Sequence, residues 1–214
     1  MIRHHPDDAL LLAHAAGTLG AGHQLLLAVH VEGCPHCRQR MARLDALGGV
    51  LLDSLAPAEL APDALERTLA AIDAPPAPPP QAAQGAKPEL PTAWPQAMAD
   101  CSVSAWHWMG PGMYWNRVAL PGAADANVFM LRIGAGRMLP RHTHTQSELT
   151  QVLYGAFDDG RSTFAAGDFD ETDSGVRHQP VTGAEGECIC LASVEGKVLF
   201  EGWLARTMGA LIGM

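Results

Sequence analysis

Eight prolines crowd into residues 74–95, APPAPPPQAAQGAKPELPTAWP, half of the 16 in the whole chain. Proline fixes φ and removes a backbone donor, so neither a helix nor a central strand passes through such a segment. The chain must therefore be built as two pieces, with a polyproline-like spacer between them. Its length of 214 residues suits that division, and an apolar content of 48% can supply a core on each side. The boundaries that follow are 1–75, a linker over 76–97, and 98–214.

The first piece reads as helical. Pro6, Asp7 and Asp8 supply a start signal for an Ala/Leu run that Gly17 and Gly20 interrupt. A second helical pattern covers roughly 21–31, and Pro35 can open a third. In that third helix Met41, Leu44, Leu47 and Leu51 form an apolar stripe at helical spacing. A fourth helix is expected from about 58 to 73, with Leu65, Leu69 and Ile72 along one side. Those three residues either close a bundle or present a stripe to a partner.

The second piece reads as β. Trp106, Trp108, Tyr114, Trp115 and Val118 fall at strand-type positions, and turn signals such as Pro111-Gly112, Pro121-Gly122 and Gly167-Asp168 recur every eight to twelve residues. That rhythm predicts an all-β sandwich or barrel.

Charge and cysteine content narrow the function. With 14 Lys and Arg and a net charge of −9, the chain lacks the basic face that nucleic acid demands, but it would suit a basic partner. No run of eighteen apolar residues offers a membrane span, and MIRHHPDD lacks a secretory h-region. Five cysteines, an odd number, make a poor disulfide framework. A cytoplasmic chain is expected, with no direct nucleic-acid or membrane partner.

Two constellations carry chemistry. In GRMLPRHTHTQSELTQVLYG, residues 136–155, His142, His144 and Glu148 follow the pattern G-x5-H-x-H-x3-E-x6-G. On one strand these three would share a face, because side chains alternate with period two. Two imidazoles and a carboxylate there suit a divalent metal such as Zn, Fe, Mn or Ni. The other constellation is His30-V-E-G-Cys34-P-His36-Cys37. Two thiolates three apart at a helix junction, with an imidazole one turn upstream, suit tetrahedral Zn. His4, His5, His14 and His23 are all available as a fourth ligand, and a redox dithiol is the rival reading. Cys188 and Cys190 share a strand face, either as small core residues or as oxidisable thiols. Cys101 reads as core.

The histidine motif resembles the first motif of the cupins in full. Gly167, Gly175 and His178 match the second motif, G-x5-P-x-G-x2-H-x3-N, in which Asp173 replaces the proline and Thr182 the asparagine. This resemblance implies a jelly-roll (double-stranded β-helix) barrel with His142, His144, Glu148 and His178 as a metal quartet.

The cysteine motif is similar to that of zinc-binding anti-sigma factors. Together with I-R-H-H at the start, G-A-F-x-D at 155–159 and C-I-C-L-A at 188–192, the whole chain resembles the ChrR-type anti-sigma factors. The resemblance implies an α+β fold class: a small zinc-stapled all-α domain followed by an all-β cupin barrel. It implies His5, His30, Cys34 and Cys37 as zinc ligands and an extracytoplasmic-function sigma factor as partner. It also implies release of that partner on singlet-oxygen-type stress, and a regulatory protein rather than an enzyme. A metal-dependent cupin oxygenase with a zinc assembly module is the alternative.

Overall fold

The computed structural model describes residues 1–75 and 87–201. Four helices come first: α1 (Asp8–Ala15), α2 (Ala21–Gly33), α3 (Pro35–Asp53) and α4 (Ala64–Asp73). Twelve strands follow: β1 (Ser102–Val103), β2 (His107–Gly110), β3 (Met113–Leu120), β4 (Ala123–Ile133), β5 (His142–His144), β6 (Glu148–Tyr154), β7 (Ala156–Asp158), β8 (Thr163–Ala165), β9 (Phe169–Thr172), β10 (Val181–Thr182), β11 (Cys188–Val194) and β12 (Val198–Phe200). Among the described residues no helix is long and apolar enough to cross a membrane.

Local chemistry sets the helix boundaries. The Asp7 carboxylate accepts from Leu10 N at 2.7 Å and caps α1, and Gly17 ends that region with φ +66°. Cys34 closes α2 and opens α3: its backbone is extended, its Sγ accepts from Cys37 N at 3.5 Å, and Pro35 fills the first position of α3. The fourth helix begins six residues later than the sequence pattern suggests, because Pro57 and Pro62 keep residues 56–61 out of regular structure.

The strands form one large antiparallel sheet in the order β1-β3-β4-β11-β6-β9, with β2 also on β3, faced by two small sheets, β10-β7-β8 and β12-β5. Residues of the large sheet alternate strictly. Phe129, Leu131, Cys188, Cys190, Glu148 and Thr150 face the interior of the barrel, while Val128, Met130, Leu149, Ile189 and Leu191 face outward.

That outer face is not left to water. Helix α2 lies on it, so Leu25, Leu26, Leu27 and Val29 share a single apolar cluster with Val118, Val128, Met130, Leu149 and Leu191. Each such side chain removed from water contributes about 1.5–3 kcal/mol before entropy is counted. Strand β11 is consequently buried along its whole length, on both faces. Gly22 permits the close approach of helix and sheet, since a Cβ there would meet Ser193 Oγ and lie 2.8 Å from Val128 Cγ2.

The end of the linker is docked as well. Leu90, Trp94 and Ala97 pack on the same cluster, and the Glu32 carboxylate accepts from Gln96 N and Ala97 N at 2.8 and 2.9 Å. Residues 76–86, the most proline-rich part of the expected spacer, lie outside the described residues.

The apolar stripe expected on α3 divides. Met41 and Leu44 pack against the core, but Leu47 and Leu51 are 52% and 59% exposed, because α3 runs on past the rest of the fold.

Candidate metal centres

The first constellation gathers where α2 meets α3. His30 leaves the last turn of α2, while Cys34 and Cys37 flank the start of α3. The segment preceding α1 brings His5 across, with Nδ1 3.4 Å from Cys34 Sγ and 3.5 Å from Cys37 Sγ. One donor atom from each of the four lies within 4.8 Å of every other. Zinc–nitrogen and zinc–sulfur bonds of about 2.05 and 2.3 Å give a tetrahedral N···S edge of about 3.5 Å, which these separations match.

His30 supplies a second sign of fit. It is 1% exposed, its Nδ1 lies 2.9 Å from Gln151 Oε1, and its buried Nε2 has no hydrogen-bond partner. Burial holds its pKa down at about 4, against the opposing pull of Gln151, so the ring is neutral at pH 7 with a lone pair to offer. Burial, then Cys34, pushes the Cys37 thiol up to about 12, so a metal bound there would displace its proton.

The other histidines available as fourth ligand lie away from the cluster. His4 Nε2 is 3.1 Å from Ser162 Oγ, and His23 bridges Ser193 and Ser147. His14 sits in the last turn of α1, its Nδ1 without a hydrogen-bond partner, and does not join the cluster.

The second constellation sits inside the barrel. His142, His144 and Glu148 do not share one strand, contrary to the simplest reading of their spacing. The chain turns between them, so the two histidines stand on β5 beside β12 and Glu148 opens β6 in the large sheet. The ligands still converge because the two sheets face each other. His178 arrives from a backbone bridge to His142, with N to O distances of 3.1 Å in each direction.

The distances among the four are short. His178 Nε2 lies 3.0 Å from His142 Nε2 and 3.4 Å from His144 Nε2. Glu148 Oε2 is 2.7 Å from His144 Nε2 and 4.0 and 3.9 Å from the other two, yet makes no aligned hydrogen bond. Four buried ligand atoms gathered within 4.8 Å of one another are what a divalent ion would satisfy.

Protonation agrees. Burial lowers His142 and brings His178 to about 4, with Glu148 opposing in both cases. Burial would raise Glu148, but His144 and the other two imidazoles outweigh it and hold the carboxyl at about 2. His142 Nδ1 donates to Pro140 O at 2.8 Å, which fixes its tautomer with Nε2 turned inward.

Behind His178 lies a buried acid pair, Asp159 and Asp170, which sequence reasoning did not single out. Asp159 Oδ2 is 3.8 Å from His178 Nδ1. Arg161 ties both acids together, its Nε donating to Asp159 at 2.6 Å and its terminal nitrogen to Asp170 at 2.8 and 3.0 Å. One guanidinium does not offset two carboxylates: burial, opposed by Arg161 and reinforced by Asp159 and Glu148, raises Asp170 to about 7, and one donor atom each from Asp159, Asp170 and His178 gathers within 4.8 Å. The signal for Asp159 was present as the last residue of G-A-F-x-D.

His142, Glu148 and His178 of the quartet line a cavity of about 520 Å³. Its walls are mainly apolar, with Phe129, Leu131, Ile133, Phe157 and Met113 among them, and Trp108 contributes while 68% exposed. Cys188 and Cys190 point into this cavity with their sulfurs 3.5 Å apart, and all five cysteines are free. The contact with Cys188, then burial, drives the Cys190 pKa upward. Cys101 is buried in the main core, as its packing role requires.

The exposed stripe is the third feature. Leu65, Leu69 and Ile72 on α4 are 72%, 53% and 72% exposed, so they close no bundle here. The far half of α3 adds Val50, Leu51 and Leu52 to the same kind of surface.

Comparison with known proteins places this geometry. Residues 95–196 match the family described as the ChrR cupin-like domain. Anti-sigma-E factor ChrR of Cereibacter sphaeroides is 37% identical over 213 residues, covering 96% of this chain and 95% of that protein. A chain in the crystal structure of Rhodobacter sphaeroides SigE in complex with the anti-sigma ChrR superposes with a TM-score of 0.73. The two are 36% identical, and the match covers 91% of this chain and 100% of that one. With 37% identity over nearly the full length of both chains, this chain belongs to the ChrR family of anti-sigma factors.

Proposed function

We propose that the chain is an anti-sigma factor that binds and sequesters an extracytoplasmic-function sigma factor and frees it under oxidative, singlet-oxygen-type stress. The observation that carries this reading is the unpartnered apolar surface of α3 and α4, in a chain whose relative of matching length is an anti-sigma factor. A stripe of Leu65, Leu69 and Ile72, held in water by an otherwise well-packed fold, needs another protein to cover it.

In this reading residues 1–75 are the inhibitory part and 98–214 a metal-bearing sensor. His5, His30, Cys34 and Cys37 would hold Zn²⁺, which supplies the cross-link that fixes α2 against α3. His142, His144, Glu148 and His178 would hold a divalent ion (Zn, Fe, Mn or Ni) that gives the cavity a Lewis-acidic site. Cys188 and Cys190 are the candidate redox pair: oxidation to a disulfide would pass two electrons and two protons to the oxidant. Because they lie on β11, whose other face carries α2, such a change is transmitted directly to the helices.

Co-expression with a cognate sigma factor tests the proposal. A stoichiometric complex is expected, with Cys34→Ser failing to form it. A chain that purifies alone in the presence of that sigma factor would sink the reading. The second reading, a metal-dependent oxygenase, draws on the 520 Å³ cavity above the quartet. It requires oxygen uptake that depends on a small organic substrate and disappears in Glu148→Gln.

A further inference from the structure

Strand β6 faces both centres. Glu148 points from it into the barrel, and three residues on Gln151 points the opposite way, to the helices. Gln151 is 3% exposed. Its amide nitrogen donates to Val152 O at 3.0 Å, which fixes the side chain with Oε1 directed at His30 Nδ1, 2.9 Å away. A carbonyl oxygen only accepts, so it requires the proton of a neutral His30 on Nδ1. The lone pair is thereby left on Nε2, the atom that faces His5, Cys34 and Cys37 without a partner of its own.

The first residue of β9 and the residue before it act on the neighbouring ligand. Asp168 Oδ1 accepts from Arg3 N at 2.6 Å and His4 N at 3.0 Å, and Phe169 N donates to His4 O at 3.1 Å. The backbone beside His5 is therefore clamped to the barrel. The ring of Phe169 stands edge-on to His30 at 5.4 Å between centroids.

We infer that Gln151 is a positioning residue of the helical metal centre: a barrel side chain that selects the ligating tautomer of His30 and so sets how firmly that centre retains its metal. The inference rests on the assignment of His5, His30, Cys34 and Cys37 as a zinc site. It adds that the site is completed from outside the helical segment, through a hydrogen bond joining residues 121 positions apart. Partners of this kind on a ligating imidazole typically govern 10–100-fold in metal affinity.

Zinc release from the full-length chain to a chromogenic chelator measures the effect. Gln151→Leu keeps the volume and removes the acceptor, and should release the helical zinc about 10–100-fold faster than wild type. Gln151→Glu restores an acceptor at the same place and should return the rate to the wild-type value or below it. Ser193→Ala removes a contact of α2 with the sheet without touching His30 and should leave the rate unchanged. Cobalt substitution gives a second readout: the thiolate–cobalt band should move in Gln151→Leu and keep its wild-type position in Gln151→Glu. Equal release from wild type and Gln151→Leu overturns the inference, as does equal acceleration by Ser193→Ala, which would reduce Gln151 to a docking contact. A wild-type chain whose zinc content does not change on Cys34→Ser overturns the zinc assignment itself, and the inference with it.

Discussion

His23 Nδ1 lies 2.9 Å from Ser193 Oγ, although 170 residues separate the two in sequence. The other ring nitrogen is 2.9 Å from Ser147 Oγ, and the Glu195 carboxylate stands 4.0 Å away. This buried imidazole is the polar centre of the contact between α2 and the large sheet. Burial lowers its pKa from the ordinary 6.5, with Glu195 opposing. The ring is thus neutral in the fold and takes up a proton when α2 leaves the sheet. The stability it contributes is complete above pH 6.5 and declines as pH falls below that value. His23→Gln keeps hydrogen-bonding groups but does not titrate, so its melting temperature should fall less steeply between about pH 6.5 and pH 5 than that of wild type. Parallel slopes for the two chains would rule out His23 as the source.

Gly22 predicts a contrast within the helical segment. Gly22→Leu forces a side chain into Ser193 and Val128 and should cost about 1–3 kcal/mol, read as a thermal shift of several degrees. Gly48 on α3 has open space where its Cβ would be, so Gly48→Ala should stabilise by up to about 1 kcal/mol. Equal effects from the two substitutions would mean that α2 does not sit against β11 in solution.

The two metal assignments separate in an elemental analysis. Glu148→Gln and His178→Ala should each remove about one equivalent of metal while leaving the helical zinc in place. Cys34→Ser or His30→Ala should do the reverse. Unchanged metal content in Glu148→Gln would count against the barrel quartet.

On the partner surface, Leu65→Asp combined with Leu69→Asp should weaken sigma binding by more than about 100-fold. Because both side chains face water in the free chain, its stability should change by less than about 1 kcal/mol. Calorimetric titration with the sigma factor, paired with a melt of the free variant, distinguishes a lost contact from a lost fold.

Much of this architecture was legible in the residues, for reasons that can be named. The metal-ligand sets are local patterns of chemically unusual residues, so H-x-H-x3-E and H-x3-C-x2-C announce themselves at any stage. Helix starts at Asp7 and Pro35 and the turn glycines are likewise local. The error over the strand shared by His142 and Glu148 came from a short turn at 145–147, which carries neither Gly nor Pro. His5 was one of four histidines until family resemblance selected it, because its approach to the thiols depends on how the chain start is clamped by Asp168. Gln151, Asp168 and the docking of α2 were invisible for the same reason. Each is a contact across more than a hundred residues, made by side chains of ordinary type. The C-I-C-L-A run did carry a trace of it: five consecutive apolar residues on a strand imply cover on both faces.

The third helix deserves a mechanical reading. Its base is the cysteine junction, and its 19 residues reach about 28 Å from there, the last part without support from the barrel. Such an element is a lever with its fulcrum at Cys34 and Cys37. A tilt of about 10° at the fulcrum sweeps the far end through about 5 Å, roughly one helical turn. A rearrangement too small to disturb the packing around the cysteines would thus be large enough, at Val50 and Leu51, to carry a bound protein out of register.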